Sequence, residues 1–404
     1  MAKGFKQVFQ TSNPTRWQRF KWTFRLLLFL LVITVIAIMI AIQTAYVPTV
    51  PILQSSVFKQ ILVSDENPDS LAKEYQGFRK FIDDKWSAGN GCGQNDSAIR
   101  LSNSKLFSDS LGIRSAFYVD WDPQAFFSLR RNINKLNLII PEWMFFDPKG
   151  DSLIIRKDKR GYDLIKQTKG LRVMPMLTNN INGKWDGAVL SRILNNRSKS
   201  EKLINDLYKW IKSEGFAGIN IDFEELVEND NSILTKFLKK LSDRFHAGGL
   251  LTSVDVMPFN EDYDYAALAA HTDYIFLMAY DQYTSSTKPG PISGQKWIEA
   301  AVDQIVQKVP IPKLVLCIAG FGYDWPKGGE GSDVTYQQAL SIAKENNSKI
   351  IYDNDSYNLY FTYKDKLGHE REVHFTDAAT NFNSIRFSTE YGFAGTALWR
   401  MGSE

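Results

Sequence analysis

Charged and apolar positions are sharply separated at the start of the chain. Residues 26–46, from Leu26 to Tyr46, carry no charge and are almost wholly apolar. A helix of this length spans about 30 Å, the thickness of a bilayer's hydrocarbon core. Before it, residues 1–25 hold Lys3, Lys6, Arg16, Arg19, Lys21 and Arg25 and no acid, and the next charge after the run is Lys59. A cleavable signal peptide has a shorter apolar core and a small-residue cleavage site, which are missing here. The pattern therefore predicts a basic cytoplasmic tail at 1–25, a single transmembrane helix at 26–46 and an extracytoplasmic remainder, which would place the chain in the cytoplasmic membrane.

Pro48 and Pro51 stop the apolar helix. Residues 47–112 are polar and mixed, a stalk or pre-domain with one amphipathic helix expected near Asp69–Trp86. From Ile113 the periodicity changes, and short apolar runs alternate with helix-length amphipathic stretches. Strands are predicted at Ser115–Trp121, Leu136–Trp143, Arg172–Leu177, Gly218–Phe223, Leu251–Met257, Tyr274–Met278, Leu314–Ala319 and Gly395–Leu398. Eight strands separated by helices predict an α/β fold, a (β/α)8 TIM barrel over residues 113–404. The last gap is too long for one helix. Hairpin strands at Leu359–Tyr363 and Glu372–Phe375 predict a small α+β insertion over about 350–378, between strands seven and eight. A barrel's eighth strand is normally followed by an eighth helix; the chain stops at Glu404, which predicts the front part of a longer polypeptide.

Composition adds mostly exclusions. The 48 basic and 45 acidic residues nearly balance, so no basic footprint for nucleic acid stands out. Cys92 and Cys317 are too few for a zinc-thiolate site, and no disulfide between them is expected. His246, His271, His369 and His374 form no HExxH pair, and neither a metal nor a cofactor is expected. A GxSxG elbow, a P-loop and a convincing dinucleotide fingerprint are all missing from the sequence. The 13% aromatic content is high enough to serve both a large core and stacking on sugar faces.

The chemistry concentrates at strand four, Gly218-Ile219-Asn220-Ile221-Asp222-Phe223-Glu224. Side chains alternate along a strand, so Asn220, Asp222 and Glu224 share one face while Ile219, Ile221 and Phe223 share the other. The apolar set must face the helices, which turns the polar set into the barrel mouth. Asp222 and Glu224 stand about 7 Å apart along the backbone, close enough for one to raise the other's pKa.

This segment resembles the DGxDxDxE motif of family 18 glycoside hydrolases, with Ala217 and Asn220 where the motif has Asp. The resemblance implies that Glu224 protonates the glycosidic oxygen and that Asp222 orients the substrate's 2-acetamido group. That group's carbonyl oxygen then acts as the nucleophile, so no protein nucleophile is required. Met278-Ala279-Tyr280-Asp281 resembles the family's MxYD, which assigns Tyr280 to the acetamido carbonyl and Asp281 to sugar hydroxyls. Trp399 matches the floor of the sugar subsite, and Gly320–Trp325, with Tyr323, resembles the family's glycine-aromatic segment. Within the family the chain looks most like the spore-germination, cortex-lytic type. Glu142, Trp143 and Asn179 follow that branch and are expected, with Asn220, to bind substrate. Similar membrane-anchored domains stand at the front of proteins that continue into a polysaccharide deacetylase and a glycosyltransferase.

The expected function is hydrolysis of β-linked N-acetylglucosamine in peptidoglycan, a chitin-like polymer or an exopolysaccharide. The alternative is a non-catalytic glycan-binding module that guides polymer for a membrane synthase or deacetylase, its partner. A purely structural anchor ranks third, because it leaves the polar face of strand four without a reason. Asn220 also carries an expectation of its own. An amide cannot accept a proton from Asp222 as a second carboxylate could, so the pH profile should be narrowed.

Overall fold

The computed structural model describes residues 21–34, 112–147, 152–181, 183–227 and 231–404. The chain divides into two compact units, 1–66 and 67–404. In the first, residues 21–34 form a helix whose side chains are exposed throughout. Among the described residues, no helix is long and apolar enough to cross a membrane. The expected span at 26–46 is covered only as far as residue 34. Its remainder, the stalk before Gly112, the helix expected at Asp69–Trp86 and Cys92 lie outside the described residues.

In the second unit eight parallel strands close into a barrel: β1 (Ile113–Tyr118), β2 (Leu138–Phe146), β3 (Arg172–Val173 and Met176–Thr178), β4 (Gly218–Asp222), β5 (Leu251–Val256), β6 (Tyr274–Met278), β7 (Leu314–Ala319) and β8 (Gly395–Trp399). Closure is explicit in the pairing, since β1 hydrogen-bonds in parallel to both β2 and β8. The two pieces of β3 flank Pro175, which has no N–H to give to a ladder. Helices fill the crossovers: α1 (Ala125–Asn132), α2 (Lys159–Gln167), α3 (Arg197–Glu214), α4 (Asn231–His246), α5 (Tyr265–His271), α6 (Gln295–Ile305) and α7 (Ala378–Tyr391).

Strand alternation sorts the core into two layers. Ile219 and Ile221 of β4, and Phe223 just beyond it, pack outward under the helices, Phe223 stacking on Phe237 of α4 at 6.1 Å. Inside the barrel a second cluster holds Phe117, Ile140, Met176, Leu251, Phe276, Met278, Cys317 and Ala397. Cys317 is a buried free thiol. The polar face predicted for β4 therefore points into the barrel, as the parity of the apolar residues requires.

The insertion is larger than the hairpin pattern predicts. It begins directly after β7 and forms a five-stranded antiparallel sheet of Phe321–Pro326, Ser332–Thr335, Ile351–Tyr352, Leu359–Lys364 and Glu370–Phe375, with a helix at Tyr336–Glu345. It has its own small core, built on Leu340, Phe361, Val373 and Phe375. Phe321–Pro326, which is outside the predicted strands, becomes a strand by tertiary pairing with Glu370–Phe375, despite the glycine and aspartate that interrupt its aromatics.

Candidate active site

The C-terminal ends of the strands bring the acids together. Asp222 ends β4 and is buried; Glu224 follows two residues later and is half-buried. Burial pushes the Asp222 carboxyl up to about 8, and the Glu142 charge adds to this while the Thr178 hydroxyl partly offsets it. Glu224 is pushed well above the ordinary carboxylate range, first by burial and then by Asp222, Asp281, Asp255 and Glu225. A carboxyl kept neutral near neutral pH can donate its proton, which is the requirement for a general acid.

The backbone carrying Glu224 is bolted in place. Asn179, fully buried just after β3, donates its Nδ2 to the Glu224 carbonyl at 2.8 Å. Its Oδ1 accepts the Glu224 N–H at 2.9 Å. Tyr263 donates its hydroxyl to the Phe223 carbonyl at 2.9 Å. The next residue, Glu225, sits at φ 50°, a left-handed conformation uncommon outside glycine. Phe259 (φ 57°) and Asp281 (φ 60°) share that conformation after β5 and β6, so the rim of the mouth is locally strained at three strand ends.

Asp281 is half-buried and accepts the Tyr323 hydroxyl at 2.8 Å. Burial raises its carboxyl to about 6, and the Tyr323 hydrogen bond lowers it. Tyr323 thus reaches the mouth from the first strand of the insertion. Tyr280, on the inner face after β6, is buried and meets Phe321 edge-to-face at 5.9 Å. Trp399 ends β8 half-buried, edge-to-face on Phe117 at 5.2 Å. Glu142, on the inner face of β2, is raised to about 7, chiefly by burial.

Among the expected site residues, then, Asn220, Asp222, Glu224, Tyr280, Asp281, Tyr323, Trp399 and Glu142 lie on the inner face or at the mouth. Two are placed otherwise. Trp143 has no exposed surface and packs outward on Tyr162 and Phe216, in the layer under the helices. Adjacent residues of one strand cannot both face the mouth, and Glu142 holds the inner position. Asn179 grips the Glu224 peptide with both ends of its amide, so its place is beneath the acid.

Two residues at the mouth escape the sequence reading. Asp255 on β5 is buried and accepts Asn220 Nδ2 at 2.7 Å. Its signal was a lone acid at the parity of Leu251 and Ser253 in an otherwise uncharged strand. Trp121, past the end of β1, is 56% exposed. Its indole N–H is donated to Glu142 Oε2 at 2.7 Å, and the Arg400 guanidinium lies 4.1 Å from its ring centre. Arg400 is in turn paired with Asp122. Among the described residues no cluster of His, Cys, Asp and Glu has the form of a metal site.

A family model for glycosyl hydrolases family 18 matches residues 103–404. A Bacillus subtilis protein named as a sporulation-specific glycosylase is 28% identical over 250 residues, 59% of this chain and 60% of that protein. The cortical fragment-lytic enzyme of Bacillus subtilis is 27% identical over 252 residues, covering 59% of this chain and 58% of the enzyme. The chain thus spans about three fifths of the length of these curated relatives. A crystal structure of a chitinase from Chromobacterium violaceum superposes with a TM-score of 0.68 at 25% identity, over 72% of this chain and 95% of that one.

Proposed function

Because the chain belongs to glycosyl hydrolase family 18, we propose that it is a glycoside hydrolase that cleaves β-linked N-acetylglucosamine in a cell-envelope polysaccharide by substrate-assisted, retaining catalysis. The observation that carries this reading is the pair of acids at the barrel mouth, Asp222 buried at the end of β4 and Glu224 two residues beyond it with its peptide gripped by Asn179; burial raises both carboxyls. Glu224 gives its proton to the glycosidic oxygen as the bond to the anomeric carbon breaks. The 2-acetamido carbonyl oxygen attacks that carbon, and Asp222 accepts the acetamido N–H, offsetting the positive charge that forms on the ring. Glu224, now a carboxylate, takes a proton from water as the water opens the cyclic intermediate, with overall retention. Tyr280 holds the acetamido oxygen, Asp281 the sugar hydroxyls, and Trp399 supports the sugar face. The chitinase and lytic-enzyme names among the relatives support this substrate class.

The same proposal anchors the enzyme in the cytoplasmic membrane. It is supported by the uncharged run at 26–46 behind a tail of six basic residues. Membrane fractionation with protease digestion from either side tests it; a chain recovered soluble would sink it.

The deciding assay measures reducing ends released from N-acetylglucosamine oligomers by the full chain and by Glu224→Gln. Turnover by the parent that drops at least about 1,000-fold in the variant supports the hydrolase. The Asn220 amide at a motif acid favours one second reading, a glycan-holding module beside a polysaccharide synthase or deacetylase. Binding of the oligomers by both proteins without turnover by either would establish that reading instead.

A further inference from the structure

Side chains alternate along a strand, so Phe321, Tyr323 and Trp325 share one face of the first insertion strand. Each meets a different residue of the segment that leaves β6. Phe321 lies edge-to-face on Tyr280 at 5.9 Å. Tyr323 donates its hydroxyl to Asp281 Oδ1 at 2.8 Å. Trp325 donates its indole N–H to the Thr284 carbonyl at 3.2 Å. The order along the strand is the order along the loop, so the insertion runs in register with the exit of β6. Further bonds hold the same loop to the insertion. Gly331 N–H is donated to the Ser285 carbonyl at 2.7 Å. The Asn358 amide accepts the Ser293 N–H at 3.1 Å and donates to its carbonyl at 2.9 Å.

The Tyr323 hydroxyl has little freedom. Its ring is buried between Phe321 and Trp325, each 5.5 Å away, and its strand is paired on both sides, opposite Asp333 and His374. Asp281 has no such frame of its own. It lies three residues beyond the end of β6 at φ 60°, a conformation that persists only where the surroundings hold it. Its Oδ1 is taken by Tyr323, whereas Oδ2 accepts nothing from the described residues and keeps open surface.

We propose that Tyr323 is a positioning residue: through its hydroxyl the insertion sheet turns the Asp281 carboxylate so that one oxygen stays on the insertion and the other is offered to a sugar hydroxyl. The inference deepens the hydrolase reading and rests on it for the sugar, but not for the contact itself. Tyr323 then stands one bond behind the substrate, and the insertion is part of the mouth's machinery.

The same bond has an electrical consequence. Burial raises the Asp281 carboxyl to about 6, the Tyr323 hydroxyl lowers it, and Asp333 on the next insertion strand raises it. Glu224 beyond β4 and Tyr280 beside Asp281 also face it, and Arg400 acts on Asp333 while paired with Asp122. A hydroxyl donated to a carboxylate favours the ionised form. Without it Asp281 takes up its proton at a higher pH and loses an acceptor for the sugar. Tyr323 therefore extends sugar binding toward acid pH.

The test is a carboxyl ¹³C NMR titration of Asp281 in the ligand-free full-length chain, in the parent, Tyr323→Phe and Tyr363→Phe. Phenylalanine at 323 keeps the ring between its neighbours and removes only the hydroxyl. Tyr363 donates a comparable bond to Asp324 Oδ2 at 2.7 Å on the opposite face of the same sheet, so its loss loosens the insertion without touching Asp281. The Asp281 midpoint is expected to rise from about 6 by about one pH unit in Tyr323→Phe. It should stay within about 0.3 units in Tyr363→Phe. No rise in Tyr323→Phe, or an equal rise in both variants, overturns the proposal. Should Tyr323→Phe not fold, the parent alone decides. The Tyr323 ring ¹³Cζ signal must shift with the Asp281 titration, and a flat signal through that range refutes the bond. None of these readouts needs turnover, so a failed hydrolase assay and a failed positioning role are told apart. With N-acetylglucosamine oligomers, Tyr323→Phe should raise KM about 3- to 10-fold with kcat within about threefold, the gap widening as pH falls from 8 to 6. A fall in kcat at unchanged KM would overturn the assignment to the sugar-binding carboxylate.

Discussion

Asn179 and Glu224 are joined by two hydrogen bonds, the Asn179 amide donating to the Glu224 carbonyl at 2.8 Å and accepting its N–H at 2.9 Å. Glu224 lies beyond the last ladder residue of β4, where the sheet no longer fixes the backbone. Asn179 supplies that register from the end of β3. Displacing a reacting group by about 1 Å can cost about 100-fold in rate. Asn179→Ala should therefore lower kcat by about 10- to 100-fold while KM changes less than about threefold. Steady-state kinetics on oligomers checks the split. A rise in KM with kcat unchanged would instead place Asn179 against the substrate.

Gly187 guards the same loop from the other side. A Cβ at this position would come within 2.0 Å of the Glu225 carbonyl oxygen, a backbone atom that cannot rotate away. Gly187→Ala must push apart the start of the helix Gly187–Leu194 and the segment after Glu224. The expected loss is about 1–3 kcal/mol of stability together with about 100-fold in kcat. Thermal melts and kinetics on the same preparation test this. Full activity in the alanine variant would mean that the loop yields without moving the acid.

Glu142 gives a pH dependence with a definite sign. Burial, with Asp120 adding, raises its carboxyl from the ordinary 4.5 to about 7, against the Trp121 N–H, Arg156 and Arg400. Between those values the folded chain holds a proton that the unfolded chain has released. Stability from this group is therefore fully present below about pH 4.5 and falls as pH rises through about 7. Glutamine removes the ionisation and still accepts the Trp121 N–H. Glu142→Gln should melt with the parent at pH 4 and a few degrees above it at pH 8, roughly what one or two kcal/mol gives a domain this size. An equal gap at both pH values would exclude ionisation as the cause.

The barrel was legible because its periodicities are strong. All eight strands start within two residues of the predicted positions, and six of them, β8 at Gly395 included, start at the predicted residue. Parity alone sorted Asn220 and Asp222 from Ile219 and Ile221, and the core clusters have that order. The same rule, applied to Glu142 and Trp143, would have turned Trp143 outward; motif similarity overrode it. Asn179 was found but its contact was not, since the Glu224 peptide it grips is 45 residues away. Asp255 escaped because its meaning depends on Asn220, 35 residues earlier, and only the β4–β5 pairing brings them together. Phe321–Pro326 became a strand through partners in the insertion, a long-range effect that local composition does not carry.

Trp121 presents an exposed ring beside Glu142 and Arg400 that the proposed sugar polymer could stack on. An exposed indole is usually mobile, but this one is held at its N–H by Glu142 and backed by Arg400, which Asp122 anchors. A ring fixed in this way loses little freedom when a sugar stacks on its open side. Aromatic contacts of this kind contribute about 0.5–1.5 kcal/mol, up to about tenfold in affinity. Trp121→Ala should thus raise KM up to about tenfold for oligomers long enough to reach it and leave the shortest cleavable substrate unaffected. Arg400→Ala, which frees the indole without removing it, should give a smaller rise in the same length-dependent pattern. Measuring KM against oligomer length for both variants separates the explanations. A rise that is the same at every length would mean that Trp121 supports the fold of the mouth and does not itself contact the polymer.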